Sequence, residues 1–385
     1  MDPEESHLLF MMTKHVNGKI MRGEISSREE AEEELVNSHT EILQNAPTTL
    51  PEWHTLANKE TDSIRTDRKK YAHKVERNLL KRYAFAFEAL EKAIASAELA
   101  NRAMNFAFKL WLRQASDEEV SHKLLDVEES VGGYPAKFLL LIGMHARMVV
   151  ISSEIALLLK NGFTDGSLSR MRTLYELVVK AFFLCHQEPT PGGYELAERY
   201  CVSSLVEHLK ESGENGLNDE VADQVLLEAR KRWGDEFFRS ENNWAAPGTR
   251  NPQAKRITFK DIEEAVDGDR FRHIYVTCNA AVHAGAAAII SALNENSTYL
   301  YNNRASINLA ATSYIGSAVI FFLQMGSVEV LQRVTIDTKE WDCALMAASL
   351  FPDMDAAAKI FHNQGDKFGV SYSGRPENED SEGDG

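Results

Sequence analysis

Residues 272–285 read RHIYVTCNAAVHAG, a stretch that sets one polar pair in an otherwise small or apolar run. Asn279 and His283 are four residues apart, so on a helix they lie one turn apart on the same face. The alanines around them and Gly285 permit close helix packing, or leave room beside the histidine for a ligand. The stretch therefore predicts a helix at the centre of a bundle, and it is the best candidate for a functional site.

Helical patterns also dominate the rest of the chain, and no convincing alternating strand run occurs. Long apolar or amphipathic segments, bounded by Gly, Pro and Asn, predict main-bundle helices at 136–160, 167–187, 194–212, 270–294 and 304–336. Asp165 and Ser167 are candidate caps for the second of these helices. We further expect an exposed loop at 240–258 and a short helix pair at 339–350 and 353–365. The fold class predicted from this pattern is an all-α multi-helix bundle with a long-helix N-terminal extension.

The N-terminal extension contains one predicted long helix, 64–113, because neither Pro nor Gly interrupts it. Its core-facing stripe, with apolar residues at three- and four-residue intervals, consists of Leu79, Tyr83, Phe87, Leu90 and Ile94. The helix carries twelve Lys or Arg against five acidic residues. Its most basic part, 64–82, can meet the phosphate backbone of RNA. The alternative is a solvated face that offsets the acidic segment before it.

These patterns divide the chain into four predicted parts. They are an N-terminal helical extension at 1–130, a bundle core at 131–336, a helix pair at 337–372 and an acidic disordered tail at 373–385. The 24 residues between Arg304 and Glu329 carry no charge and are long enough to span a bilayer. Ser, Thr and Asn recur along them, which favours a buried core helix, so no membrane partner is predicted.

Composition narrows the classes of function. The formal net charge of -16 discourages indiscriminate nucleic-acid binding. The four cysteines lie far apart without zinc-site spacing, which is typical of buried thiols in a reducing cytosol, and we expect a cytoplasmic location. Phosphate-loop, zinc-protease and serine-hydrolase motifs do not occur, and no cofactor or metal is predicted. A metal site from His283, Glu176, His145 and Glu154 is a weak alternative, since the core helices hold no Glu-x-x-His pair.

A second polar pair lies in the segment SLSRMRTLYELVVKAFFLCH, where Arg172 and Glu176 share one helical face with apolar residues. Burying either charge alone would cost on the order of 3–5 kcal/mol. One interpretation is an internal salt bridge that fixes the helix register. The other is an arginine that its glutamate holds at a cleft, ready for an anionic group.

The strings LSRMRTLYEL, AERY and YVTCNAAVHA resemble an uncharacterised bacterial all-helical domain family, over roughly 136–335. That family in turn looks like a distant relative of the HEPN domains (higher eukaryotes and prokaryotes nucleotide-binding). HEPN ribonucleases share a helical motif of an Arg, a polar residue, three variable residues and a His. The matching string here is Cys278 to His283, so Asn279 and His283 are in place and Cys278 stands at the arginine position.

The resemblance implies a metal-independent endoribonuclease that acts as a toxin or phage-defence effector, forms a homodimer and has a partner protein in a defence system. In that hypothesis His283 is the general acid and base, and Asn279 orients it or the phosphate. Arg172, held by Glu176, replaces the missing motif arginine, with Arg147 and Arg199 as weaker candidates. The competing hypothesis is a non-catalytic helical module that senses an anionic ligand or holds a partner protein.

Overall fold

The computed structural model describes residues 16–44, 46–114, 136–189, 194–212, 220–282 and 307–367. These residues form α-helices, short 3-10 turns and connecting loops, and none of them lies in a β-strand. The predicted all-α bundle is confirmed. The longer helices are α1 (Arg28–Gln44), α2 (Ala46–Gln114), α3 (Ala136–Lys160), α4 (Thr164–His186), α5 (Glu195–Ser212), α6 (Glu220–Trp233), α7 (Phe259–Ala265), α8 (Arg272–Val282), α9 (Leu309–Thr338) and α10 (Trp341–Lys367).

The chain divides into two compact units. The first consists of residues 1–74 and 291–304, and the second of 75–290 and 305–385. The domain boundaries predicted at residues 130, 336 and 372 stay predictions. The predicted acidic tail, 373–385, lies outside the described residues.

Helix α9 is central to the second unit, where it packs against α3, α4 and α10. Two of its glycines mark the closest approaches. A Cβ atom at Gly326 would lie only 2.6 Å from the Sδ atom of Met148 on α3. A Cβ atom at Gly316 would collide with the ring of Phe361 on α10. The lack of a side chain at these two positions therefore allows the neighbouring helices to pack tightly on α9.

The core-facing stripe predicted on α2 is confirmed. Leu79, Tyr83, Phe87, Leu90 and Ile94 are all buried. At Tyr83 the backbone departs from helical geometry, with φ -117° and ψ 21°. Its hydroxyl lies 2.8 Å from the carbonyl oxygen of Leu309 and 2.6 Å from Ser313 Oγ, which ties α2 to the start of α9.

A buried polar chain joins three helices of the second unit. Asn101 of α2 donates from Nδ2 to Nδ1 of His145 on α3, at 3.1 Å. Because Nδ1 accepts, the proton of the neutral ring is on Nε2, which lies 2.8 Å from Ser327 Oγ on α9. Ser327 in turn donates to the carbonyl of Leu323. Burial lowers the pKa of His145 to about 4, so the ring is neutral at pH 7.

The structure corrects three local predictions. Neither Asp165 nor Ser167 caps α4, which begins at Thr164 and has no side-chain cap. The reason is the turn before it: Gly162 has a positive φ of 77°, and the amide of Phe163 donates to the carbonyl of Leu158, so the helix starts earlier.

The predicted exposed loop at 240–258 is exposed over residues 250–253, but its first part buries Asn243 and Trp244. Asn243 explains how this is possible, because its side chain bonds to backbone groups of the segment, including the amide of Ile257 at 2.9 Å. The predicted pair at 339–350 and 353–365 is a single helix, α10, which continues through Pro352. Its buried residues Met354 and Phe361 hold it in place beyond the proline.

Among the described residues, two helices are long and apolar enough to cross a membrane by length and composition alone, from Lys137 to Lys160 and from Leu309 to Thr338. In the most apolar 18-residue stretch of each helix, 56% of the residues of the first and 67% of the residues of the second are buried within the protein. Burial of this kind is also what core helices of globular proteins show, so these helices are weak evidence for a membrane span.

Candidate functional site

A polar cleft of about 880 Å³ lies in the second unit, between α4, α5, α8 and the segment that leads from residue 239 to 259. Its volume is within the range usual for small-molecule sites, about 300–1,000 Å³. Arg172, Glu176 and Lys180 line it from α4, and Tyr275 lines it from α8. The predicted pair on α4 therefore faces a cleft.

Arg172 is held from two helices. Its Nε donates to Glu176 Oε1 at 2.8 Å, one turn further along α4. One of its terminal nitrogens donates to the hydroxyl of Tyr275 at 3.1 Å, and the guanidinium carbon lies 5.1 Å from the centre of that ring. About a quarter of each side chain of the Arg172–Glu176 pair is exposed. The guanidinium is thus fixed in position and still reachable from the cleft.

The charges around the cleft are mixed, with a small excess of cations. Four basic residues line it, against three carboxylates: Arg172, Lys180, Arg239 and Arg256, with Glu176, Glu207 and Glu241. Arg239 forms an ion pair with Glu236. Arg256 is exposed, and within the described ranges it makes no ion pair. Its guanidinium is therefore accessible to a ligand.

Aromatic rings form much of the remaining wall. Tyr200 of α5 meets the edge of Trp244, with ring centres 4.8 Å apart, and Lys180 Nζ lies 5.7 Å from the Tyr200 ring. On the other side Phe259 stacks on Tyr275 at 5.2 Å. Trp244 is 1% exposed, so it supports the wall, whereas Tyr200 and Phe259 are partly exposed and can contact a ligand.

Arg199, a weaker candidate, supports the cleft from behind. It is 7% exposed, and its Nε donates to the carbonyl of Trp244 at 3.0 Å. Its guanidinium also lies over the rings of Trp233 and Phe237, at 5.1 and 5.4 Å. Arg199 therefore anchors the segment 235–248 on α5 and does not line the cleft.

A buried carboxylate positions the start of α8. Glu263 of α7 is fully buried, forms an ion pair with Arg272 and accepts a hydrogen bond of 2.6 Å from the hydroxyl of Tyr175 on α4. Tyr175 also lies 3.0 Å from the carbonyl of Gly268. Burial is the largest cause that raises the pKa of Tyr175, and the neighbouring Glu263 raises it further. The hydroxyl of Tyr175 therefore stays protonated and can donate. This group orients α8 so that Tyr275 reaches Arg172.

The motif residues on α8 face in different directions. Cys278, at the position of the motif arginine, is fully buried, and burial raises its pKa to about 12. Arg172 is near the position it was predicted to replace, because it donates to the hydroxyl of Tyr275, about one helical turn before Cys278. Asn279 is partly exposed, and its Oδ1 is buried with no hydrogen-bond partner in the part of the chain that the structure describes. His283 lies outside the described residues.

The other candidates lie elsewhere. Arg147 is on α3, half exposed, 3.7 Å from Glu154, and does not line the cleft. His145 is enclosed between α2, α3 and α9, so it cannot share a metal with Glu176. Within the described ranges no group of three or more His, Cys, Asp or Glu side chains is arranged to hold a metal ion.

Sequence reasoning found Arg172 and Glu176 but missed the residues that complete the cleft from other elements. Tyr275 lies in the stretch singled out first, yet nothing in its spacing indicates a partner on α4. The turn-rich polar composition of 240–258 was the available signal for the opposite wall, which contains Arg256 and Ser240.

The fold and the cleft together define an all-helical protein with a partly basic, aromatic-walled binding cleft. Residues 138–299 match a family of unknown function, DUF5677. The match covers under half of the 385 residues but includes every residue that lines the cleft, and it supports the resemblance to an uncharacterised domain family. No curated protein and no solved structure matches the chain.

Proposed function

We propose that the cleft binds the anionic group of a ligand and that Arg172 receives it. The observation that carries this proposal is the double support of Arg172, by Glu176 on its own helix and by Tyr275 on α8. A guanidinium already fixed in its binding geometry loses little conformational entropy when a ligand arrives. A planar fork of donors also suits a phosphate or a carboxylate.

The remaining wall favours an anion that carries a ring. Lys180 and Arg256 supply further positive charge, and Tyr200 and Phe259 supply partly exposed aromatic faces. Bases stack on such faces in single-stranded nucleic-acid sites. A nucleotide or a short stretch of RNA therefore fits the chemistry of the cleft, as a bound signal or as a substrate.

A panel of anions of increasing size tests this proposal. Calorimetric titrations with inorganic phosphate, adenosine 5′-monophosphate and a single-stranded RNA decamer would show which of them the full-length protein binds. We expect the nucleotide or the RNA to bind more tightly than phosphate. If none of the three binds at millimolar concentration, or if phosphate alone accounts for the affinity, the proposal of a ring-bearing ligand is wrong.

A second candidate function is metal-independent RNA cleavage by a toxin or defence effector. Two observations favour it: Asn279 Oδ1 has no hydrogen-bond partner among the described residues, and Arg172 bonds to Tyr275, about one helical turn before Cys278. In this proposal His283 removes the proton of the ribose 2′-hydroxyl, and the oxygen attacks the adjacent phosphorus. The bond to the 5′-oxygen then breaks, that oxygen receives a proton, and Arg172 stabilises the negative charge of the pentavalent intermediate.

Cleavage of total RNA in the presence of EDTA tests the second function. Wild-type protein should cut, and the variants His283→Ala and Arg172→Ala should lose most of the activity. RNA binding without cleavage in the wild type would leave the sensing function standing and remove the ribonuclease. Activity that EDTA abolishes would instead indicate a metal-dependent reaction.

The basic segment 64–82 is proposed as an additional RNA contact. All eight of its Lys and Arg side chains are exposed: Arg65, Arg68, Lys69, Lys70, Lys74, Arg77, Lys81 and Arg82. Contacts between such residues and phosphates weaken steeply as salt rises. Replacing Arg68, Lys69 and Lys70 by glutamine should therefore reduce both the RNA affinity and its salt dependence.

A further inference from the structure

Helix α3 leaves one mostly apolar face exposed, with no partner among the residues that the structure describes. Leu139, Val150 and Leu157 are 37%, 47% and 64% exposed, and Gly143 lies on the same face. Their spacings of four, seven and seven residues follow the helical repeat, so they form one stripe. The opposite side of α3 is buried against α4 and α9. A helix that is apolar all round is normally covered on every side.

The part of the stripe from Gly143 to Leu157 is centred on Val150. Gly143 and Leu157 are seven residues before and after it, and Arg147 and Glu154 are three before and four after it. If a second α3 runs antiparallel across the stripe with Val150 on the two-fold axis, Leu157 of each copy faces Gly143 of the other. The largest exposed side chain of the stripe then meets the position that has none.

The charges on the stripe have the same symmetry. Arg147 is positive and half exposed, and Glu154, 39% exposed, lies 3.7 Å from it within the chain and also forms an ion pair with Arg170 of α4. In the antiparallel arrangement each Arg147 comes next to the Glu154 of the other copy, because residue 154 then lies opposite residue 146. Opposite charges therefore meet across the axis, and like charges are kept apart.

We propose that α3 forms a two-fold homodimer interface in which Gly143, Val150 and Leu157 pack antiparallel on the same three residues of a second copy. The proposal rests on the exposed face of α3 and is independent of the function of the cleft.

Gly143 offers a sharp test, because a side chain there meets nothing within 4 Å in a single copy. Gly143→Gln should therefore fold normally, with a better helix former in mid-helix, and yet fill the space that Leu157 of the second copy needs. We expect sedimentation equilibrium to give twice the monomer mass for the wild type, and a dissociation constant at least 100-fold larger for the variant. Thermal unfolding of dilute, monomeric protein at or above the temperature of the wild type would show that the fold is intact.

Two further variants complete the test. Leu157→Glu should also separate the copies, whereas Leu227→Glu on α6, where the leucine is 56% exposed, should not. Val150→Cys should give a covalent dimer with a short bis-maleimide, above the background of the wild type, because residue 150 meets itself across the axis. A monomeric wild type, a dimer unaffected by Gly143→Gln and Leu157→Glu, or no cross-link at residue 150 would overturn the proposal. A monomer that floats with anionic phospholipid vesicles would overturn it in favour of a membrane-facing surface.

Discussion

Arg172 and Tyr275 join two helices that are far apart in sequence: the guanidinium donates to the tyrosine hydroxyl at 3.1 Å and lies 5.1 Å from the centre of its ring. The contact depends on the path of α8, which the buried Glu263 fixes through Arg272 and Tyr175. The arginine that the sequence singled out thus depends, for its place in the cleft, on a tyrosine whose role only the packing reveals.

Removing the hydroxyl of Tyr275 separates its two interactions with Arg172. Tyr275→Phe keeps the ring beneath the guanidinium but removes the hydrogen bond. We expect the free energy of unfolding to fall by about 1 kcal/mol and the affinity for the RNA decamer to fall several-fold. Urea unfolding and anisotropy titration measure the two effects. An affinity equal to that of the wild type would mean that Tyr275 does not help to place Arg172.

Replacing the buried Glu263 by alanine should lower the stability of the protein much more than replacing an exposed glutamate. Glu263→Ala leaves Arg272 and Tyr175 without their buried partner, and since Arg272 is 37% exposed, water recovers part of the loss. We expect a cost of about 2–3 kcal/mol. The control is Glu98→Ala, in an exposed pair with Arg102, which should change stability by less than about 1 kcal/mol. Equal effects in urea unfolding would contradict the anchoring role of Glu263.

His145 should make stability depend on acidity. Its pKa falls from a usual 6.5 to about 4 in the folded protein, so between these values the unfolded chain binds more protons than the folded one. This contribution is complete above pH 6.5 and is lost as the pH falls towards 4, by about 3 kcal/mol in all. Carboxylates also titrate in this range, so the measurement is the difference between wild type and His145→Gln in urea unfolding at pH 7, 5.5 and 4.5. If the two proteins lose stability in parallel, the buried neutral histidine is not the cause.

Replacing Gly316 and Gly143 by alanine should change the stability of the protein in opposite directions. Gly316→Ala forces a methyl group into the ring of Phe361, which is fully buried, and overpacking of this kind costs about 1–3 kcal/mol. Gly143→Ala meets open space and should stabilise the monomer by up to about 1 kcal/mol, because alanine favours the helix. Thermal unfolding of both variants at low concentration tests the pair. A harmless Gly316→Ala would contradict the close packing of α9 on α10.

The helices could largely be predicted, because local signals determine them. Helix α3 begins at Ala136, directly after a segment with Gly and Pro, and ends at Lys160, directly before Asn161–Gly162. The predicted bounds of this helix, 136–160, are those observed. The stripe from Leu79 to Ile94 follows the helical repeat and is buried as predicted. By contrast, α10 passes through Pro352, since packing on α9 outweighs the loss of one backbone hydrogen bond.

The sequence predicts the two cleft residues on α4 but not the residues that other elements contribute to the cleft. The spacing of Arg172 and Glu176 places them on one face of a helix, and their contact at 2.8 Å is local. Tyr275, Tyr200 and Arg256 reach the same space from α8, α5 and the segment before α7. No periodicity within one helix encodes which residues of another helix will meet it, so this half of the site depends on tertiary packing.

The most direct test of the central claim is the affinity of three proteins for a fluorescein-labelled single-stranded RNA decamer, measured by anisotropy at fixed salt. Arg172→Ala should bind about 10–150-fold more weakly than wild type, as expected for the loss of a charge-assisted contact of about 1.5–3 kcal/mol. Arg102→Ala removes the same charge from a similar pair on α2, outside the cleft, and should bind as the wild type does. Equal affinities for all three proteins would contradict the assignment of Arg172 as the anion-binding residue.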